Sequence, residues 1–259
     1  MGRLAIIAGT GALPGLLAAR HPAVIVQLAG VDCTATGEAV IEARLEALGT
    51  LFGDLRAAGV TDLCLAGAMR RASFDTSRLD AQTTALLPRI IAAQGRGDDA
   101  LLREVVAIFE SEGFTLRGAH ELRPDLLATE DALAGQGAPP ADAARAAAVL
   151  AALGPLDVGQ AAVAAKGQLL GIETLQGTDA MLRFVADTAP GSGGILVKRA
   201  KPGQDLRVDM PAIGPDTVAQ AARAGLSGIV VQAGHVLLLD PEAVRTAAAA
   251  LGLSLWAVP

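Results

Sequence analysis

Short apolar runs without polar alternation limit the folds open to this chain more than any other feature of its sequence. Three of them lie at 4–8 (LAIIA), 23–28 (AVIVQL) and 62–66 (DLCLA), separated by stretches with helical periodicity. Runs of this kind predict strands that are buried on both faces, which is typical of parallel sheets covered by crossover helices. The sequence therefore predicts an α/β fold.

The remainder of the first half adds helices and two short strands. Helical periods predict helices at 80–94 and 98–112, and Pro88 is expected to kink or divide the first of them because proline lacks a backbone N–H. Short strands are predicted at 114–117 and 125–128.

A second α/β pattern begins after residue 157. The segment QAAVAAKGQLLGIETL predicts a hairpin that turns at Lys166-Gly167. Further strands are predicted at 194–199, 228–232, 235–239 and 253–258, with helices at 178–187, 215–224 and 241–251. Between the two halves, the stretch 134–157 is rich in Ala, Gly and Pro, as domain junctions are. We predict domains at 1–135 and 157–259, joined by a helical linker at 136–156.

Composition excludes several classes of function. The net charge of -6 and the 2% aromatic content, with no tyrosine, argue against a nucleic-acid partner, because such proteins need basic faces and aromatic stacking platforms. The spacing of Cys33 and Cys64 suits neither a metal site nor a disulfide framework, so both are predicted to be core residues. The apolar N-terminal run is broken by glycine and proline, and no run of about 18 apolar residues occurs. We expect a cytoplasmic protein.

The first candidate site is the glycine-rich turn after the first strand, which contains Gly9, Thr10 and Gly11. Such a turn lets the backbone approach a phosphate. It departs from the dinucleotide fingerprint, because its third glycine comes one place late and the second strand ends in Gln27 and Leu28 instead of an acidic residue. A tight turn between a strand and a helix requires glycine whatever it binds, so a purely structural role remains open.

The second candidate is the loop region from Gly193 to Thr217. All three lysines of the chain lie within 166–201, and this region combines two of them with arginines and carboxylates. Its charged residues are Lys198, Arg199, Lys201, Asp205, Arg207, Asp209 and Asp216. Cations can neutralise phosphates while carboxylates hold Mg²⁺ or orient water, so the mixture suits phosphate-ester chemistry. A solvated loop with weak surface ion pairs is the alternative.

The third candidate is the segment IETLQGTDAML, in which Glu173 ends a predicted strand. Thr178 or Asp179 can cap the helix that follows, and capping alone would explain Asp179. The three histidines share no spacing that predicts a metal site or a catalytic triad.

Taken together, these motifs resemble the LpxI family of UDP-2,3-diacylglucosamine pyrophosphatases. The resemblance rests on LAIIAGTGALP at the N-terminus, AGAMRRASF at 66–74 and GDDALLR at 97–103. The two most specific segments are IETLQGTDAML at 172–182 and LVKRAKPGQDLRVDMPAIGPDTV at 196–218. Thr10 and Ala72 depart from the pattern usual in the family.

The resemblance implies a hydrolase that uses Mg²⁺ to cleave UDP-2,3-diacylglucosamine into UMP and 2,3-diacylglucosamine 1-phosphate in lipid A biosynthesis. It implies an N-terminal Rossmann-like parallel-sheet domain, a second α/β domain, a homodimer and lipid held between the domains. Two acyl chains require an apolar cavity. We expect only transient contact with a membrane surface, at the inner membrane, because the net charge gives no overall attraction to anionic lipid.

Each candidate residue can then be given a role. Asp209 is the first choice for the catalytic carboxylate, because Pro211 restricts the backbone of Met210 and the neighbouring cations keep a carboxylate ionised. The other predicted catalytic residues are Asp205, Lys198 and Lys201, with Asp205 and Asp209 as metal ligands. The predicted substrate-binding residues are Gly9, Thr10, Gly11, Glu173, Thr178, Asp179, Arg207 and Asp216. A nucleotide-binding module without catalysis and an NAD(P)-dependent oxidoreductase are the competing hypotheses.

Overall fold

The first five strands form a parallel sheet in the computed structural model, which describes residues 2–69, 75–130 and 139–259. In spatial order they are β3 (Ala39–Ala43), β2 (Ala23–Leu28), β1 (Arg3–Ala8), β4 (Val60–Ala66) and β5 (Thr115–Leu116). The accompanying helices are α1 (Leu13–Ala18), α2 (Leu48–Ala57), α3 (Ala81–Gln94), α4 (Asp98–Ser111) and α5 (Ala119–Leu122). The chain builds the sheet outward from β1 to β3 on one side and then continues from β4 to β5 on the other side. This strand order is that of Rossmann-type sheets.

A second five-stranded sheet contains both parallel and antiparallel pairs. Its order is β12 (Ser254–Val258), β10 (Gly228–Gln232), β8 (Ile195–Lys198), β6 (Ala161–Ala165) and β7 (Gln168–Ile172). The first three are parallel, whereas β6 runs antiparallel to both of its neighbours. A small sheet pairs β9 (Ala212–Ile213) with β11 (Leu237–Leu238). The helices are α6 (Ala141–Leu153), α7 (Gly177–Thr188), α8 (Pro215–Arg223) and α9 (Pro241–Ala250). The α/β prediction for both halves is confirmed.

The chain divides into two compact units. Unit 1 comprises Met1–Pro124 together with Arg207–Asp209, and unit 2 comprises Asp125–Leu206 and Met210–Pro259. Helix α6, which lies in the segment predicted as a linker, packs its buried alanines and Leu150 against the sheet of unit 2. Part of that segment, 136–138, lies outside the described residues, as do 70–74 of the 66–74 motif.

Each unit has its own apolar core. In unit 1, Phe52 packs edge-on against Phe109 at 5.4 Å between ring centroids, and Phe114 completes the aromatic cluster. In unit 2, all five residues of β6 are buried. Ala161 and Val163 face the layer of α7, α8 and α9, whereas Ala162 and Ala164 face α6. Because the side chains of a strand alternate between its faces, this apolar strand is covered on both sides.

Most predicted elements are found within one or two residues, although the short elements α5 and β9 were not predicted and further differences occur. The strand predicted at 125–128 is instead a 3-10 turn at Pro124–Leu126, followed by a single bridge from Leu127. Helix α3 is not divided at Pro88, and the exposed position of this proline lets solvent reach the backbone group that it leaves unpaired. Strand β3 was not predicted, because it is a largely exposed edge strand and lacks a buried apolar run.

The cysteine prediction is confirmed for one residue only. Cys64 is buried in β4, and burial, with a smaller effect of Glu121, raises the pKa of its thiol to about 12. Cys33 is partly exposed, and both cysteines are free.

Candidate functional site

The turn after β1 is held against the turn after β4 by backbone hydrogen bonds. Thr10 N–H donates to Ala68 O at 2.8 Å, and Ala68 N–H donates to Thr10 O at 3.0 Å. A Cβ atom on Gly9 would lie 2.6 Å from Ala68 O, so no other residue fits there without a shift of the backbone. Gly11 is exposed, with a φ of +94°, and no atom of the described residues lies within 4 Å of a Cβ placed there. The predicted turn therefore exists, with Gly9 needed for packing and Gly11 for its conformation.

A buried polar cluster lies where β8 ends in unit 2. Lys198 is 7% exposed, and its Nζ donates to Thr178 Oγ1 at 2.6 Å. Thr178 Oγ1 in turn donates to Glu173 Oε1 at 3.0 Å. Lys198 Nζ also lies 3.8 Å from Glu173 Oε2, a distance typical of an ion pair. Residues from two separate candidate segments are thus brought into contact by the sheet and by the start of α7.

One atom of this cluster lacks a hydrogen bond. Glu173 Oε2 is buried and has no hydrogen-bonding partner among the described residues. A buried carboxylate oxygen of this kind is costly unless a donor reaches it. In open α/β sheets, ligands bind at the carboxyl ends of parallel strands, and Lys198 occupies that end of β8. The cluster can therefore offer both a cation and an acceptor to a ligand.

Lys201 has a partner that sequence reasoning missed. Its Nζ forms an ion pair with Asp157, and both side chains are largely buried. Asp157 follows the 3-10 turn Gly154–Leu156 and has a left-handed φ of 58°. Gly154-Pro155 signals the end of α6 in the sequence, but nothing there relates Asp157 to a lysine 44 residues later.

The remaining predicted site residues are divided between the units. Arg207 and Asp209 belong to unit 1, where Arg207 Nη1 donates to Glu110 Oε1 at 2.8 Å. Asp205 and Asp216 belong to unit 2, with Asp216 exposed in the first turn of α8. Asp179 is likewise exposed, in the first turn of α7.

An apolar cavity of about 290 Å³ lies beside α6 in unit 2. Val197, Val230 and Val258 line it from the sheet, and Ala143 and Ala147 line it from the helix. Arg199 and Gln232 are among its polar lining residues. Such a cavity suits a hydrocarbon group with a polar end.

The acidic residues fit a magnesium site only in part. Within the described ranges, no group of three or more His, Cys, Asp or Glu side chains is placed to hold a metal ion. Mg²⁺ is commonly bound by one or two carboxylates together with substrate phosphates and water, so a site without a complete protein cage agrees with that chemistry.

These features define the class of the protein, a two-unit α/β protein with open sheets and candidate ligand sites at their carboxyl ends. Within that class, the chain belongs to the LpxI family. The LpxI N-terminal domain family model matches residues 3–126, and the LpxI C-terminal domain model matches residues 134–256. The chain is also 40% identical over 281 aligned positions to UDP-2,3-diacylglucosamine pyrophosphatase LpxI of Caulobacter vibrioides, covering 98% of this chain and 96% of that protein. The family resemblance is therefore confirmed.

Proposed function

We propose that this protein hydrolyses the pyrophosphate bond of UDP-2,3-diacylglucosamine, releasing UMP and 2,3-diacylglucosamine 1-phosphate in lipid A biosynthesis. The observation that carries the proposal is 40% identity to a protein of that name along nearly all of both chains. The match extends through both units, so it includes the glycine-rich turn and the lysine cluster alike.

The described residues supply groups suited to this reaction. Lys198 is a buried ammonium group at a strand end, where it can neutralise a phosphate oxygen as negative charge develops there. Glu173 Oε2 is an acceptor available to a hydroxyl or amide N–H of the substrate. The cavity beside α6 offers apolar surface for part of an acyl chain. We keep Lys201, which pairs with Asp157, as a proposed catalytic residue. Asp179 and Asp216, both exposed, remain proposed substrate-binding residues.

Asp209 is the proposed catalytic carboxylate, with Asp205 as its alternative. An ionised aspartate can orient a water molecule for attack on phosphorus and accept its proton. We also propose that Mg²⁺ binds through Asp209 and Asp205, with substrate oxygens completing its ligands. When bound, the ion would neutralise charge on the pyrophosphate.

The oxidoreductase hypothesis is not retained. The Rossmann-type strand order is shared with nicotinamide-dependent enzymes. However, β2 ends in Gln27 and Leu28, which offer no carboxylate to a ribose. Membership of the LpxI family favours the hydrolase.

The proposed assembly is a homodimer that touches membrane only transiently. Among the described residues, no helix is both long and apolar enough to cross a bilayer. The net charge of -6 gives no overall attraction to anionic lipid, so membrane contact would be local. Quantitative sedimentation with anionic vesicles at high salt would contradict this expectation.

The activity can be tested with the purified full chain, UDP-2,3-diacylglucosamine and excess Mg²⁺. We expect equal amounts of UMP and 2,3-diacylglucosamine 1-phosphate, measured by mass spectrometry. Asp209→Ala should lower kcat by about 100-fold or more, or roughly 2.7 kcal/mol of transition-state stabilisation, with little change in KM. Asp54→Ala, at an exposed position on α2, is the matched control and should turn over normally.

Two outcomes would count against the proposal. Absence of UMP under these conditions would refute the hydrolase activity. Normal turnover by Asp209→Ala would leave the activity standing but move the role of catalytic carboxylate to Asp205 or Asp216.

A further inference from the structure

Three residues from the second half of the chain belong to unit 1. Arg207, Val208 and Asp209 are part of unit 1, whereas Leu206 and Met210 on either side belong to unit 2. This short segment includes the proposed catalytic carboxylate. The contacts that hold it in unit 1 therefore determine where that carboxylate lies.

Val208 and Arg207 provide two of these contacts. Val208 is partly buried against the apolar core of unit 1. Beside it, Arg207 Nη1 donates to Glu110 Oε1 on α4 at 2.8 Å. The arginine and glutamate side chains are 35% and 46% exposed, so their ion pair contributes little to overall stability. The pair nevertheless restricts the orientation of the segment, because a hydrogen bond is directional and apolar packing is not.

The third contact depends on the absence of a side chain. A Cβ atom on Gly118 would lie 3.3 Å from Arg207 Cα and 2.6 Å from His120 Nδ1. The φ of Gly118 is -73°, a value open to any residue, so glycine is needed here for space and not for conformation. A methyl group at residue 118 would therefore displace the His120 ring and press on the backbone at Arg207, which would have to shift by a few tenths of an ångström.

We infer that Glu110, Gly118 and Val208 are positioning residues that hold the segment Arg207–Asp209 on unit 1 and so orient the Asp209 carboxylate. The inference rests on the proposed function of Asp209. Asp209 directly follows Val208, so release of the anchored valine would displace the carboxylate. Displacements of about 1 Å at a reacting group can cost orders of magnitude in rate.

Three single variants test the anchoring in the full-length chain. Glu110→Gln, Gly118→Ala and Val208→Ala should each lower kcat by about three- to tenfold or more, with a smaller change in KM, because the carboxylate spends less time in place. Glu112→Gln is a matched control, since Glu112 pairs with Arg56 at 2.6 Å and not with the segment. Val105→Ala is a second control, because Val105 packs against the same core from α4. Both controls should keep kcat even where they lower stability.

Charge reversal distinguishes positioning from direct substrate binding by Arg207. Glu110→Arg and Arg207→Glu should each impair kcat, and the double variant should recover most of the loss because the ion pair is restored with opposite polarity. Failure of the double variant to recover activity would contradict a positioning role for the Glu110–Arg207 pair.

Hydrogen exchange gives a readout that does not depend on turnover. Backbone amides in 204–212 should exchange faster in Glu110→Gln and Val208→Ala than in the wild type. Their exchange rates should be unchanged in Glu112→Gln. Unchanged exchange in both test variants would overturn the inference whether or not the chain hydrolyses the substrate. If exchange rises and Asp209→Ala still turns over normally, the segment is anchored but the proposed catalytic role of Asp209 is wrong.

Discussion

At the scale of a single residue, Asp62 is a buried carboxylate of unit 1 that forms an ion pair with Arg117. The residue is 3% exposed, and its carboxylate accepts hydrogen bonds from Arg117 Nε at 2.6 Å and from Thr61 Oγ1 at 3.0 Å. Burial by itself raises the pKa of Asp62. The hydrogen bonds from Arg117 and Thr61, with the charge of Arg117, outweigh burial and lower the pKa below its ordinary value.

The lowered pKa predicts a pH-dependent contribution to stability. A carboxyl with a lower pKa in the folded state stabilises the fold above its unfolded pKa, about 3.9, and loses that contribution as pH falls through the folded pKa. Asp62→Asn should therefore lower the free energy of unfolding by about 1–3 kcal/mol at pH 7, with the difference shrinking toward pH 3. Urea unfolding at pH 7, 5 and 3 would measure it, with exposed Asp54→Asn as the control. A difference that does not depend on pH would contradict the ion-pair explanation.

At the scale of elements, the turns after β1 and β4 are in direct backbone contact. A Cβ on Gly9 would meet Ala68 O at 2.6 Å, and a Cβ on Gly67 would meet Thr10 O at 2.6 Å. Gly67 also has a φ of +91°, which side chains rarely adopt. Both glycines are needed for the two strands to end side by side.

The contrast between two glycines tests this explanation. Gly9→Ala should destabilise unit 1 by about 1–3 kcal/mol, because the backbone on both sides must shift to accommodate a methyl group. Gly53→Ala is the control, since Gly53 lies inside α2 and none of the residues that the structure describes has an atom within 4 Å of its Cβ position. It should be neutral or stabilise the protein by up to about 1 kcal/mol, because alanine favours helix. Urea unfolding midpoints measure both, and equal shifts for the two variants would contradict the packing argument.

At the scale of the whole molecule, the proposed magnesium site predicts that hydrolysis requires a divalent cation. Mg²⁺ is commonly bound by one or two carboxylates together with substrate phosphates, which suits Asp209 and Asp205 as its proposed ligands. Activity should therefore disappear in the presence of a chelator and return with excess Mg²⁺, since the pyrophosphate charge must be neutralised as its bridging bond breaks. UMP release measures the effect. Circular dichroism in the chelator should show an unchanged fold.

Hydrolysis that persists without divalent cations would reject the magnesium proposal. Charge neutralisation would then be left to Lys198, Lys201 and Arg207. Of these, the described structure gives Lys198 the most buried side chain.

The sequence by itself determined the fold class, most element positions and the family. Buried strands produce apolar runs, and tight turns require glycine, so both leave local signals that can be read without a structure. The hairpin turn at Lys166-Gly167 is such a case, since both residues take left-handed φ values there. The edge strand β3 left no such signal, because exposed strands need no apolar run.

Only the tertiary structure decided which candidate residues meet. It joined Lys198 to Thr178 and Glu173, paired Lys201 with Asp157, and put the segment carrying Asp209 in unit 1. These contacts connect positions that are distant in the chain, and they depend on strand order and on where a loop packs. Hydrophobic periodicity reports which face of an element is buried, but it does not report which distant residue that element will contact.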